Sequence, residues 1–225
     1  MSSVVIVLPA YNEATVIASV IESIQLQGFT NIVVVDDGST DGTGAIATPT
    51  GVHVVTHKLN RGKGAATKTG IEVAQRLQAD IIVTLDADGQ HLASDIPAVI
   101  QPLLSGACDV VLGTRQWHSH DIPRYKVIHN FLGNAATWLI HHQWVADSQS
   151  GFRAYSRHAA KLMDTQADFY DYDSEVIREI RVKGLRWEQV PIRVRYTTYA
   201  TTKPARQNVV SGLKTAAKML WRNIS

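Results

Sequence analysis

"NIVVVDDGSTDGT", residues 31–43, decides the fold. Ile32, Val33, Val34 and Val35 are four β-branched residues in a row, apolar on both faces as a central strand of a parallel sheet covered on both sides must be. The run ends in a loop rich in Asp and Gly. Upstream, "VVIVLPAYNE" (4–13) is another β-branched run, stopped by Pro9, and "ATVIASVIESIQLQG" (14–28) places Val16, Ile17, Val20, Ile24 and Leu26 near helical spacing before Gly28. Downstream, "GVHVVTH" and "KGAATKTGIEVAQRLQ" repeat strand and helix, "DIIVTLDADGQH" and "LASDIPAVIQPLLSG" repeat them again, and "CDVVLGTR" is a fifth strand. Strands alternating with helices predict an α/β fold, a parallel sheet with helices on both faces and ligands at the carboxyl ends of the strands. Four loops then converge on one edge: Pro9 to Glu13, Asp36 to Thr43, Asp86 to His91 and Gly113 to Arg115. Beyond Arg115 the pattern loosens into a helix at 124–145 with Trp138 and Trp144, a strand in "GFRAYS", a helix in "YDYDSEVIREIRVKG" capped by Gly184, and a late strand in "LRWEQVPIRVRY".

"LDADGQH" carries the chemistry. Asp86 and Asp88 flank Ala87, and in an extended chain they point to one side. Two like charges aimed at one volume raise each other's pKa unless something positive joins them. A divalent cation does so economically, because hard ions such as Mg²⁺ and Mn²⁺ take carboxylate oxygens, Mg²⁺ using one or two of them plus substrate phosphates. An acidic turn closed by Asp88-Gly89 is the plain alternative.

The 225 residues suit one large domain or two small ones. Linkers, low-complexity runs and repeats are absent. One cysteine, Cys108, allows no internal disulfide, and no signal-like segment opens the sequence, so a reducing, cytoplasmic setting is expected. No stretch reaches 18 apolar residues, so no span is expected. The net charge of +2 hides an asymmetry: residues 178–225 carry 11 Lys and Arg against Glu179 and Glu188, and the remainder is net negative. A basic end suits nucleic acid, an anionic membrane or a phosphorylated substrate. "RGKGAATKTG" has neither the P-loop nor the dinucleotide glycine order, and in "DADGQHLASD" His91 stands where a calcium loop needs glycine.

"LPAYNE", "VVVDDGSTDGT", "LDADGQH", "GTR" and "DSQSGFRAY", in this order, together resemble the family 2 inverting glycosyltransferases of GT-A fold, a Rossmann-like, mostly parallel sheet. Among these the chain looks most like the dolichyl-phosphate mannose synthases and related polyprenyl-phosphate glycosyltransferases, over residues 4–205. The resemblance implies Asp86 and Asp88 as ligands of Mg²⁺ or Mn²⁺ with Gln90 close by. It implies Pro9, Tyr11 and Glu13 lining the nucleotide, Val35 and Asp37 at its base and ribose, Ala87 beside it, and Arg115 and Lys203 near the phosphates. Asp147 and Ser150 would lie near the acceptor. Asp36 reads as a turn residue, and His91, His141 and His142 as surface or helix-flank residues. Two positions depart from the mannose synthases: Thr197 and Asn130 stand where arginines are expected, and Arg195, Arg193 or Arg124 are the substitutes at hand.

The expected activity is transfer of a hexose from a nucleotide-diphosphate sugar, GDP-mannose or UDP-glucose in type, to a polyprenyl phosphate with inversion. A phosphate acceptor, with a second pKa near ~6, needs no strong base. A sugar hydroxyl acceptor would need one, with Asp147 the first candidate. A non-catalytic binder of nucleotide sugar or nucleic acid would also use a basic tail, but paired carboxylates repel nucleic acid phosphates, so no nucleic acid partner is expected. Residues 206–225 form a separate segment after the domain at 1–205. Within it Val209, Val210, Leu213, Ala217, Leu220, Trp221 and Ile224 lie near helical spacing, with Lys214, Lys218 and Arg222 on another face. Such a helix packs on the domain or anchors it peripherally at the inner membrane surface. A separate membrane-embedded partner would serve the same end.

Overall fold

The computed structural model of the chain describes residues 2–115, 134, 145–169, 171–195 and 199. The valine-rich runs form the centre of the sheet. β1 (Val4–Ala10) lies between β2 (Ile32–Asp36) and β4 (Ile81–Thr84), parallel to both, with Ile6 opposite Ile32 and Val83. β3 (His53–Thr56) continues the sheet beyond β2. On the other side β6 (Arg153–Ser156) runs antiparallel between β4 and β5 (Val110–Arg115), and β7 (Trp187–Ile192) pairs parallel with β5. The order is β3-β2-β1-β4-β6-β5-β7. Because β6 runs the other way, its entry lies beside the exit of β4, with Arg153 opposite Thr84.

Both faces are covered, as the doubly apolar strands require. Ile6, Leu8, Val34 and Val83 pack with Ile17, Ile21 and Ile24 of α1 (Ile17–Gln25) and with Ile96 and Val99 of α4 (Ile96–Leu104). Val5, Val7, Val33, Val35 and Ile82 pack with Ala66 and Ala74 of α3 (Lys63–Arg76), Ala159 of α5 (Arg157–Leu162) and Ile177 and Ile180 of α6 (Asp171–Val182). Burying a Val or Ile side chain contributes about 1.5–3 kcal/mol. Helix α3 approaches so closely that a Cβ on Gly70 would lie 2.2 Å from Val7 Cγ1, which explains its alanine- and glycine-rich face. Among the described residues no helix is long and apolar enough to cross a membrane.

The structure adds two short helices to the expected elements. α2 (Thr43–Ala47) follows the second loop, and α5 is started by Ser156, whose Oγ accepts from Ala159 N at 3.1 Å. With 5 and 6 residues they are too short to show a period. Leu26, expected on the apolar face of α1, is 77% exposed because that helix ends at Gln25. The segment 206–225 and nearly all of the expected helix at 124–145 lie outside the described residues.

Candidate active site

The first two loops are tied to each other by side chains. Asn12, at φ 55°, receives Thr40 N on its Oδ1 at 2.9 Å, and its own N donates to Ser39 Oγ at 3.0 Å. Glu13 N donates to Thr43 Oγ1 at 2.8 Å, and Asp41 accepts from Ala14 N and Thr43 N, both at 3.0 Å. Asp36 is buried and accepts from Ser39 N at 2.9 Å, in keeping with a turn residue. Pro9 and Val35 are partners in the β1–β2 register, with the Val35 side chain in the core and Pro9 and Tyr11 half-buried. Asp37 is buried, and its carboxylate accepts from Arg61 N at 2.9 Å and Gly62 N at 2.8 Å and meets His57 Nδ1 at 2.7 Å. It organises the turn leading into α3. Glu13 is buried, and its Oε2 accepts from Tyr199 Oη at 3.0 Å, so the segment after β7 reaches the first loop.

Asp86 and Asp88 come together in a different way from the one their spacing implies. β4 ends at Thr84, Asp86 lies two residues beyond it and Asp88 in the turn that follows, so strand alternation does not align them. Asp88 is folded onto the loop that follows: Gln90 N donates to Oδ1 at 3.0 Å and Gln90 Nε2 to Oδ2 at 2.7 Å. Asp86 receives the Lys63 ammonium on Oδ1 at 2.8 Å and His91 Nε2 on Oδ2 at 3.3 Å. Lys63 also reaches Asp173 Oδ2 at 3.2 Å, and Asp173 lies 3.4 Å from the buried Arg153 guanidinium. Burial and the nearby Asp86 charge lift the Asp88 carboxyl above its ordinary value. Burial works against charge on Asp86, but the Lys63 ammonium and the His91 hydrogen bond outweigh it and hold its carboxyl low. Burial also lifts Asp173, with Lys63 and Arg153 pulling the other way. Burial opposes the charge on Lys63 too, yet Asp173 and Asp86 together keep its ammonium above the usual lysine value.

Gly151 lies against this pair because β6 enters next to β4. Its carbonyl accepts from Thr84 Oγ1 at 2.8 Å, and a Cβ there would stand 2.4 and 2.7 Å from the Asp86 oxygens and 2.7 Å from Lys63 Nζ. The preceding turn is pinned from below by Arg153, which donates to the carbonyls of Ser148, Ser150 and Asp173, each at 2.9 Å. Ser150 itself is buried.

Arg115 grips Asp147 at the end of β5. Nε donates to Oδ2 at 2.6 Å, Nη2 to Oδ1 at 2.7 Å and the backbone N to Oδ2 at 3.2 Å. The Asp147 carboxylate is fully buried and occupied on both oxygens, a planar two-pronged pairing that fixes Arg115 at the end of β5. Arg193, one of the substitutes for the missing arginines, spends its guanidinium on Asp95 and Ser94. Arg195 is exposed, and its backbone N donates to Gln90 O at 2.8 Å, which lays the chain after β7 alongside the acidic loop. Lys203, Thr197, Asn130, Arg124, His141 and His142 lie outside the described residues.

His91 is neither a surface nor a helix-flank residue: its side chain is 6% exposed, meets Asp86 and stands edge-on to Phe152 at 5.4 Å. Lys63, Asp173 and Gly151 were not singled out. Lys63 had a signal, since it opens the helix after β3 and therefore sits at the converging edge. Asp173 had none, because an acid in the first turn of a helix is ordinary.

Among the described residues no three His, Cys, Asp or Glu side chains surround one point. A cation here would take two carboxylates and complete its shell from a substrate, the arrangement Mg²⁺ prefers with phosphates. The excess negative charge at Asp88 fits such an ion.

Comparisons with known proteins bear on the family and the fold. The family model described as glycosyl transferase family 2 matches residues 5–163. An uncharacterized protein of Methanocaldococcus jannaschii is 40% identical over 224 residues, covering 97% of this chain and 91% of that one. A UDP-N-acetylglucosamine–dolichyl-phosphate N-acetylglucosaminyltransferase of Methanococcus voltae is 35% identical over 237 residues, covering 96% and 94%. In fold, the chain is similar to glucosyl-3-phosphoglycerate synthase from Mycobacterium tuberculosis in complex with Mn²⁺, uridine diphosphate and glucosyl-3-phosphoglycerate, with a TM-score of 0.69 at 22% identity, covering 97% and 77%. With its mostly parallel seven-stranded sheet and its acidic turn at the carboxyl edge, the chain belongs to glycosyl transferase family 2 and has the GT-A fold.

Proposed function

We propose that the protein transfers a sugar from a nucleotide-diphosphate donor to the phosphate of a polyprenyl lipid, inverting the anomeric centre. The observation that carries this is the pairing of Asp86 and Asp88 at the sheet's carboxyl edge with Lys63 beside them, while Asp147, the first candidate for a base, is committed to Arg115. A carboxylate gripped on both oxygens is a poor general base, and a phosphate acceptor needs none, being largely ionised near neutral pH. The end-to-end likeness to the Methanococcus voltae enzyme supports the same acceptor class and puts UDP-linked sugars, N-acetylglucosamine included, beside the expected GDP-mannose and UDP-glucose.

In this reading Asp86 and Asp88 hold Mg²⁺ or Mn²⁺, with Gln90 orienting Asp88. When bound, the ion supplies charge neutralisation for the leaving diphosphate. Arg115, and Lys203 from beyond the described residues, add donors for phosphate oxygens. Pro9, Tyr11, Glu13, Val35, Asp37 and Ala87 shape the nucleotide's seat: Asp37 through the turn it organises, Val35 and Ala87 through the backbone. The Mn²⁺ named with the Mycobacterium tuberculosis synthase supports a divalent ion.

The lipid tail stays in the bilayer, so the protein works peripherally at the inner, cytoplasmic face, brought there by residues 206–225 or by a membrane-embedded partner. The test is an acceptor panel with Mg²⁺ or Mn²⁺: a short polyprenyl phosphate, the matching polyprenol and a free sugar, read by mass. Glycosylation of the phosphate alone is expected, and transfer to a hydroxyl instead would move the assignment to polysaccharide or glycolipid synthesis.

A further inference from the structure

Lys63 stands between two acids. Its Nζ is 2.8 Å from Asp86 Oδ1 and 3.2 Å from Asp173 Oδ2, and Gly151 leaves just enough room for the first contact, since a Cβ would press on both Asp86 and Lys63. Asp173 comes from α6 and is fixed by its own contact with Arg153. Two carboxylates thus face one ammonium, and Asp86 is also one of the two acids assigned to the divalent ion.

We propose that Lys63 is a built-in competitor of the divalent cation for Asp86, and that Asp173 is the second seat that receives its ammonium when the cation takes the first. Asp173 is then a positioning residue that sets metal affinity through Lys63. This rests on the reading of Asp86 and Asp88 as the metal pair. The physics is charge balance: a unit positive charge within hydrogen-bond distance of a carboxylate opposes a second cation on the same group. Moving the ammonium to Asp173 needs only a small swing of a flexible side chain, because the second contact already exists. Without Asp173 the ammonium has no other carboxylate among its described partners and stays on Asp86.

The test is Mn²⁺ binding without nucleotide, read by electron paramagnetic resonance of the free ion, with thermal denaturation of each variant as the check on folding. Lys63→Met is expected to tighten Mn²⁺ at least tenfold, whereas Lys63→Arg, which keeps the charge, stays within threefold of the native protein. Asp173→Asn is expected to weaken Mn²⁺ at least threefold in the native background and to have no effect in the Lys63→Met background, the coupling a double-mutant cycle isolates. An equal loss in both backgrounds would mean that Asp173 acts only by its own field, and would overturn its positioning role. If Asp173→Asn does not fold, the Lys63→Met and Lys63→Arg comparison decides alone, and equal affinities there overturn the competition. Asp88→Asn separates the two levels: binding unchanged by it removes the metal pair itself and the inference with it, whereas binding lost in Asp88→Asn but unmoved in Lys63→Met removes the inference alone.

Discussion

Gly151→Ala places a methyl group against the Asp86–Lys63 pair. The added Cβ would stand 2.4 Å from Asp86 Oδ1, about 1 Å short of ordinary contact at 3.4 Å, and 2.7 Å from Lys63 Nζ. The atoms it meets are ends of flexible side chains, so they move and the backbone stays. Asp86 is then displaced by about 1 Å, and an error of that size in a positioned group costs on the order of 10²-fold in rate, or about 2.7 kcal/mol of transition-state stabilisation. Stability changes little: loosening a charged hydrogen bond costs about 1.5–3 kcal/mol, and the stiffer unfolded chain returns about 0.4–1 kcal/mol. For a chain of this size the melting temperature should fall by less than about 10 °C. The assay is initial-rate glycosyl transfer at saturating donor and acceptor beside a circular dichroism melt. Turnover within threefold of the native protein would refute the idea that Asp86 must sit where this structure has it, and a melt lowered by 15 °C or more would mean that Gly151 is required by the fold.

Asp88→Asn should abolish transfer, and excess chelator should mimic it, yet the variant should unfold no more easily than the native protein at pH 8. The sign follows from the raised Asp88 carboxyl: the folded state binds that proton more tightly than the unfolded one, so the ionised acid costs stability above its folded pKa, and the variant's advantage in urea should shrink as the pH falls. Asp37→Ala removes the acceptor of two backbone N–H groups and the partner of His57, and should lower stability by about 3 kcal/mol in a urea titration. A loss below about 1 kcal/mol would mean that the turn into α3 holds without it. Cys108 is buried, and burial with Glu188 and Asp109 nearby pushes its thiol up to about 11, so only about one molecule in 10³ carries the thiolate at pH 8. Iodoacetamide should label it in urea and leave it unlabelled in buffer.

The sheet was legible because parallel strands buried on both faces are written as continuous β-branched runs, and the edge where the loops converge follows from that topology. The direction of β6 was not legible: "GFRAYS" reads the same either way, and only its pairing between β4 and β5 makes it antiparallel. That reversal brings Gly151 and Arg153 to the acidic loop. The chemistry of paired acids singles out Asp86 and Asp88, but the strand alternation expected to align them does not, since β4 ends at Thr84. Asp173 reaches the site from 87 residues beyond Asp86, through the packing of α6, and no local pattern records it. His91 reads as a surface or helix-flank residue because the histidines show no ligand spacing, and its burial against Phe152 is set by the fold.

The most direct test of the account is the stereochemistry and linkage of the product. The protein is incubated with Mg²⁺ or Mn²⁺, a short polyprenyl phosphate and each of UDP-N-acetylglucosamine, UDP-glucose and GDP-mannose, and any lipid product is analysed by proton and phosphorus magnetic resonance. The account predicts a sugar joined through a phosphodiester to the lipid, with the anomeric configuration opposite to that of the donor and with formation abolished in Asp88→Asn. A product that keeps the donor's configuration, a sugar joined to a hydroxyl, or an undiminished yield from Asp88→Asn would contradict it.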